Sequence, residues 1–120
     1  MISDTAALNA TPVNIRNGAS IVRNIQLEQR MKTAAELYVQ IYNINAPTVG
    51  TDKPVMVLPV PAGNTLLEVA QLSVIFQGPF GGRLHSTALS IACTTTPDGL
   101  TAPTGGQEPR VVVDYNQLGA

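Results

Sequence analysis

The side chains best suited to chemistry in this 120-residue chain are few: one His, one Cys and eight acids. His85 and Cys93 form the natural nucleophile–base candidate, because a nearby imidazole turns a thiol into a reactive thiolate. Both lie in the run Leu84-His85-Ser86-Thr87-Ala88-Leu89-Ser90-Ile91-Ala92-Cys93. Read as one strand, that run places positions 85 and 93 on one face but roughly 26 Å apart, at about 3.3 Å per residue, too far to touch. Cys93 is therefore expected to be a small buried hydrophobe, and His85 a structural or rim residue.

The acids are equally sparse. Asp52 in Gly50-Thr51-Asp52-Lys53 and Asp98 in Pro97-Asp98-Gly99 invite a calcium reading. A calcium loop needs several alternating oxygen ligands and a distal Glu, and each segment supplies one carboxylate; both read as turns. Gly81-Gly82-Arg83 is followed by no helical pattern and no Lys-Ser/Thr pair, so it lacks the context of a phosphate cradle. Glu28 and Glu36, flanking an expected hairpin, are the best pair for glycoside hydrolysis, which requires two carboxylates about 5–10 Å apart in a cleft. They would sit on an open sheet without a Trp platform. A lone Cys forms neither an internal disulfide nor a Cys-based metal site. These residues predict a protein that is not an enzyme and uses no metal or cofactor.

The elements that carry these residues read as strands. Leu37, Val39 and Ile41 alternate with Glu36, Tyr38, Gln40 and Tyr42, the period of a half-buried antiparallel strand. In 21–29, Ile21, Ile25 and Leu27 share a face with Arg23 as the exception, and residues 30–34 would close a hairpin to 36–43. Pro54 to Val60 is apolar on both faces and carries Pro54 and Pro59. Those prolines mark an edge strand or strand ends, and an apolar edge invites a partner. Further strands are expected at 12–16, 65–69, 83–95 and 110–115, with 70–83 ambiguous and Pro61-Ala62-Gly63-Asn64 and 94–109 as a turn and a long polar loop. Residues 1–20 read as an N-terminal arm before a domain over 21–120. About seven short strands between turn signals predict an all-β antiparallel sandwich or small barrel.

Composition narrows the partners. The charged fraction is 12% and the net charge −1, so the basic field that nucleic-acid binding needs is missing. No run of about 18 apolar residues predicts a membrane span. Met1-Ile2-Ser3-Asp4 opens with an acid and no basic segment, which predicts no secretory signal.

The order of three motifs carries a resemblance. Ala46-Pro47-Thr48-Val49-Gly50-Thr51-Asp52-Lys53-Pro54 follows the expected hairpin, then Leu58-Pro59-Val60-Pro61-Ala62-Gly63-Asn64, then Ser86-Thr87-Ala88-Leu89-Ser90-Ile91-Ala92. This is similar to small β-sandwich structural proteins of tailed bacteriophages and prophages, which show an "APTVGTD-P" loop, a "P-PAG" turn and an "S-TG-LS-A" strand in that order. The likeness spans roughly residues 21–95. Position 88 is Ala where the family has Gly, and Phe76 to Arg83 is longer than its pattern.

The resemblance implies a virion component, made in the bacterial host cytoplasm and built into the phage particle. The leading expectation is a capsid decoration or cement protein that forms a homo-oligomer, dimer or trimer, and bridges major capsid protein subunits. The alternative is a tail, neck or fibre-attachment component with a receptor- or glycan-facing loop. Aromatics on a nominally polar face and a proline-marked apolar strand suit self-association: Tyr38, Tyr42, Val55, Val57 and Pro59. The expected shell contacts are Ile2 and Leu8 in the arm, Phe80 and Arg83 in one loop, and Leu100 in another.

Overall fold

Period-2 alternation does produce strands throughout. A computed structural model describes residues 1–29, 36–60, 70–77, 81–105 and 107–118. Among them are nine strands and no helix: β1 (Ile2–Thr5), β2 (Val13–Asn17), β3 (Ser20–Gln29), β4 (Leu37–Tyr42), β5 (Met56–Val60), β6 (Ala70–Ile75), β7 (Arg83–His85), β8 (Ala88–Thr94) and β9 (Arg110–Gln117).

The strands form two antiparallel sheets. The first runs β1-β9-β3-β6, with β7 pairing to β3 at Ser20–Val22; the second runs β2-β8-β4-β5. Their facing sides build one core. Ile25, Leu27, Val111, Val113 and Tyr115 come from the first sheet, and Leu37, Val39, Ile41, Leu89, Ile91 and Cys93 from the second. Each fully buried aliphatic side chain contributes about 1.5–3 kcal/mol of transfer free energy. The antiparallel sandwich expected from the pattern is the fold.

A β-bulge explains why Arg23 breaks the alternation. The register of β3 against β9 shifts between Val22 and Asn24, leaving Arg23 as the extra residue. Val22 therefore joins the core together with Ile25 and Leu27. Ile21 does not share their face, contrary to the expectation. The freed Arg23 carbonyl oxygen accepts the Phe76 N–H at 3.0 Å.

Four further expectations change. β3 and β4 lie in different sheets, so 21–43 is not a paired hairpin, and Glu28 and Glu36 do not face each other across one. The run 83–95 is two strands, because Ser86 and Thr87 turn the chain from the first sheet into the second. Residues 1–20 are not an arm: β1 pairs with β9 and β2 with β8, and Leu8 is 0% exposed, its N–H donating to the Pro109 carbonyl oxygen at 2.9 Å. The chain returns through residues 8 and 9 between the sheets, since the Cys93 N–H donates to the Asn9 carbonyl oxygen at 2.8 Å. The expected strand 65–69 lies outside the described residues, as do the turn 61–64 and the link 30–34.

Candidate functional site

The two sheets treat their outer faces differently. On the second sheet the outward residues are Tyr38, Gln40 and Tyr42 of β4 and Ala88, Ser90, Ala92 and Thr94 of β8, and of these only Tyr38 is not fully buried. The chain's own loops cover them. Ser90 Oγ donates to the Ile44 carbonyl oxygen at 2.7 Å, and Asn43 Oδ1 accepts the N–H groups of Thr87 and Ala88 at 2.9 and 3.0 Å. Gln40 Nε2 lies 2.9 Å from Thr94 Oγ1, 3.2 Å from the Pro97 carbonyl oxygen and 3.1 Å from that of Gly99. The Tyr42 hydroxyl donates to Gln40 Oε1. The two loops meet where Leu100 packs on Gly50, a glycine with φ +86° whose missing Cβ would lie 2.7 Å from Leu100 Cδ2. Small residues on β8 make this close approach of backbone possible.

This roof removes Tyr42 from any self-association surface: it is 0% exposed. Burial, with the Asp52 carboxylate nearby, holds its phenol above the ordinary pKa. Tyr38 is half-buried, opposite Pro59. The expected apolar ribbon is β5, an edge strand as its prolines suggested. Leu58 and Val60 are buried in the chain's own core, Val57 is half-buried opposite Gln40, and Val55 and Pro59 are exposed. Among the expected shell contacts, Ile2 and Leu100 are exposed, Leu8 is core, and Phe80 lies outside the described residues. Arg83 is exposed and reaches the Val55 carbonyl oxygen at 3.4 Å, tying β7 to the start of β5.

The reactive candidates are separated or sealed. His85 sits in the first sheet and Cys93 in the second, opposite Val39. Burial pushes the Cys93 thiol up to about 12, the wrong direction for a nucleophile. Burial, with the Arg83 guanidinium nearby, lowers His85 to about 4. Asp52 closes its own loop, its Oδ2 accepting the Thr48 N–H at 2.7 Å. No group of three His, Cys, Asp or Glu residues that could hold a metal ion occurs among the described residues.

The outer face of the first sheet, in contrast, has no such roof among the described residues. Core-facing Val111, Val113 and Tyr115 leave Arg110, Val112 and Asp114 pointing outward from β9. Ile25 and Leu27 likewise leave Asn24, Gln26 and Glu28 outward on β3. Register aligns these into rows across the sheet: Ile2, Asp114, Asn24 and Ile75 in one, Asp4, Val112, Gln26 and Ser73 in the next. Two shallow depressions of about 300 and 260 Å³ lie over them. Arg110 clasps Asp4 with both arms, at 2.9 and 2.6 Å. Asn24 Oδ1 is buried there without a hydrogen-bond partner. Ile2 and Ile75, at the two edges, are 65% and 69% exposed.

Apart from Ile2, and Glu28 as half of a carboxylate pair with Glu36, none of these residues stood out in the sequence. Asn24, Gln26 and Glu28 read as the polar side of a strand, which they are; that β9 and β1 continue the same face is a matter of topology. No protein-family model matches the chain, and curated proteins yield no match.

Proposed function

We propose that the protein is a non-enzymatic structural component of a phage particle, and within that class a capsid decoration or cement protein. The observation that carries the reading is the asymmetry of the sandwich: one sheet is roofed by the chain's own loops, and the other presents a broad outer face edged by Ile2 and Ile75. Such a face, with exposed isoleucines at its edges and charges of both signs between them, suits contact with another protein surface of complementary charge. Its shallow depressions lack the enclosing apolar walls typical of small-ligand sites. The ordered motifs in the APTVGTD loop and the β8 strand support the phage reading, and the sandwich is the fold that resemblance implies.

The mechanism would be attachment by surface burial. Each contact contributes on the order of 25 cal/mol per Å² of apolar area, with association entropy offsetting much of it, so repetition over a shell supplies the reinforcement. Mass spectrometry of purified particles from the phage or prophage that encodes the chain tests this directly. A copy number comparable to that of the major shell subunit is expected. A few copies per particle would shift the assignment to a tail or neck component, and absence from particles would remove it.

A further inference from the structure

The open face of the first sheet carries its own complement. We propose that it binds a second copy of the same chain, face to face, about a two-fold axis parallel to the strands and midway between β9 and β3. This rests on reading that face as an interface, and it moves self-association away from Tyr42 and β5. Turning the sheet over about such an axis lays β1 on β6 and β9 on β3, with height along the strands unchanged. A contact of this kind is isologous, so every pair occurs twice.

The register decides what meets. Ile2 and Ile75 end the same row on opposite edges of the sheet, so Ile2 of each copy lands on Ile75 of the other. These are the two most exposed of the large apolar residues on the face. One row pairs Arg110 with Glu28 across β9 and β3 within a copy. Stacked, Arg110 of each copy lies over Glu28 of the other, and the four charges alternate in sign. In the Ile2 row, Asp114 falls over Asn24, an acceptor over a side chain that can donate. Asp4 falls over Ser73. No like-charged pair is placed in direct apposition. Stacked sheets keep their strands within about 30° of one another, so the rows nearest the axis stay in step.

The test uses the full chain and three surface variants. Sedimentation velocity should give the wild-type protein the mass of a dimer. Ile75→Glu, Arg110→Glu and Glu28→Arg should each weaken the dimer about tenfold or more, since each sets a charge against an apolar or like-charged partner. The decisive arm mixes the last two variants. Arg110→Glu presents two acids where Glu28→Arg presents two bases, so the mixture should recover a heterodimer that neither variant makes alone; a folding defect would not be cured by mixing. A fourth variant, Ile2→Cys with Ile75→Cys, should be joined into dimers by a bifunctional thiol reagent that spans the roughly 10 Å between stacked sheets, while buried Cys93 stays unreacted.

A wild-type chain that is monomeric at high concentration overturns the proposal, as does a dimer indifferent to Ile75→Glu and not regained on mixing. Monomers that still seat on phage shells would remove this inference and leave the structural role standing. A dimer with the mixing behaviour but no place in any particle would do the reverse.

Discussion

Ser90 Oγ, at the centre of β8, donates a hydrogen bond to the Ile44 carbonyl oxygen 46 residues earlier in the chain, at 2.7 Å. Ser90 Oγ in turn accepts from Asn14 Nδ2 at 3.0 Å, so one small hydroxyl joins the edge strand β2 to the loop that leaves β4. Beside it, Gln40 performs the same service for the 94–101 loop. The roof over the second sheet is thus fastened through polar side chains that are themselves buried, and a buried polar group that loses its partner costs more than an exposed one.

Gln40→Ala should be the more damaging of two roof substitutions. It strands the Tyr42 hydroxyl and releases the carbonyl oxygens of Pro97 and Gly99, while Thr94 Oγ1 loses one donor and keeps its bond to the Thr96 carbonyl oxygen. A loss of about 2–4 kcal/mol is expected in urea unfolding, against about 1–2 kcal/mol for Ser90→Ala. Faster hydrogen exchange in residues 95–101 should accompany the first.

The acid limb of stability should report His85, which is 1% exposed and whose Nδ1 has no hydrogen-bond partner. Burial first, and Arg83 second, lower its pKa from 6.5 to about 4. Between those values the unfolded chain holds the proton and the folded chain does not, so stability falls as pH drops through that window. The loss should approach about 3 kcal/mol by pH 4. Thermal unfolding of His85→Gln between pH 7 and 4 should show a correspondingly flatter decline than wild type; equal slopes would place the titration elsewhere.

Cys93 should be silent toward thiol reagents in the folded protein. It is buried and free, opposite Val39, with a pKa near 12. At pH 8 its labelling rate should follow the opening of β8 and rise to that of a free thiol in denaturant. Rapid labelling of native protein would contradict the position of β8.

Gly82 should not tolerate a methyl group. A Cβ there would collide with the Val22 carbonyl oxygen and lie 2.7 Å from Ile21 Cγ2. Because one obstacle is backbone, repacking offers little relief, and Gly82→Ala should cost about 1–3 kcal/mol. Gly81→Ala, with open space around its missing Cβ but φ +74°, should cost about 1 kcal/mol through backbone strain alone.

Alternation made the core of β4 and β8 legible, because neither strand carries an extra residue to interrupt period 2. It failed at Arg23, where a bulge adds one residue and reverses which neighbours face inward. Tyr42 was misread because alternation separates two faces without saying what covers the outer one; the roof comes from loops far along the chain. Leu8 was misread as a shell contact because it stands in a stretch of small and polar residues with no period around it. The open face on the first sheet was half visible, as the polar side of β3. Its membership, with Arg110 and Asp4 beside Glu28, depends on β9 lying between β1 and β3, an order that no local pattern encodes.

That order also governs assembly of the molecule during synthesis. Among the described strands β9 comes last in the chain, yet in its sheet it is the strand that joins β1 to β3. A nascent polypeptide can close the β2-β8-β4-β5 layer once residue 94 clears the ribosome, while β1 and β3 wait for residues 110–117. Until then β1 and β3 lack the strand that pairs them, which makes the arrival of residues 110–117 the step at which aggregation and chaperone capture compete with folding.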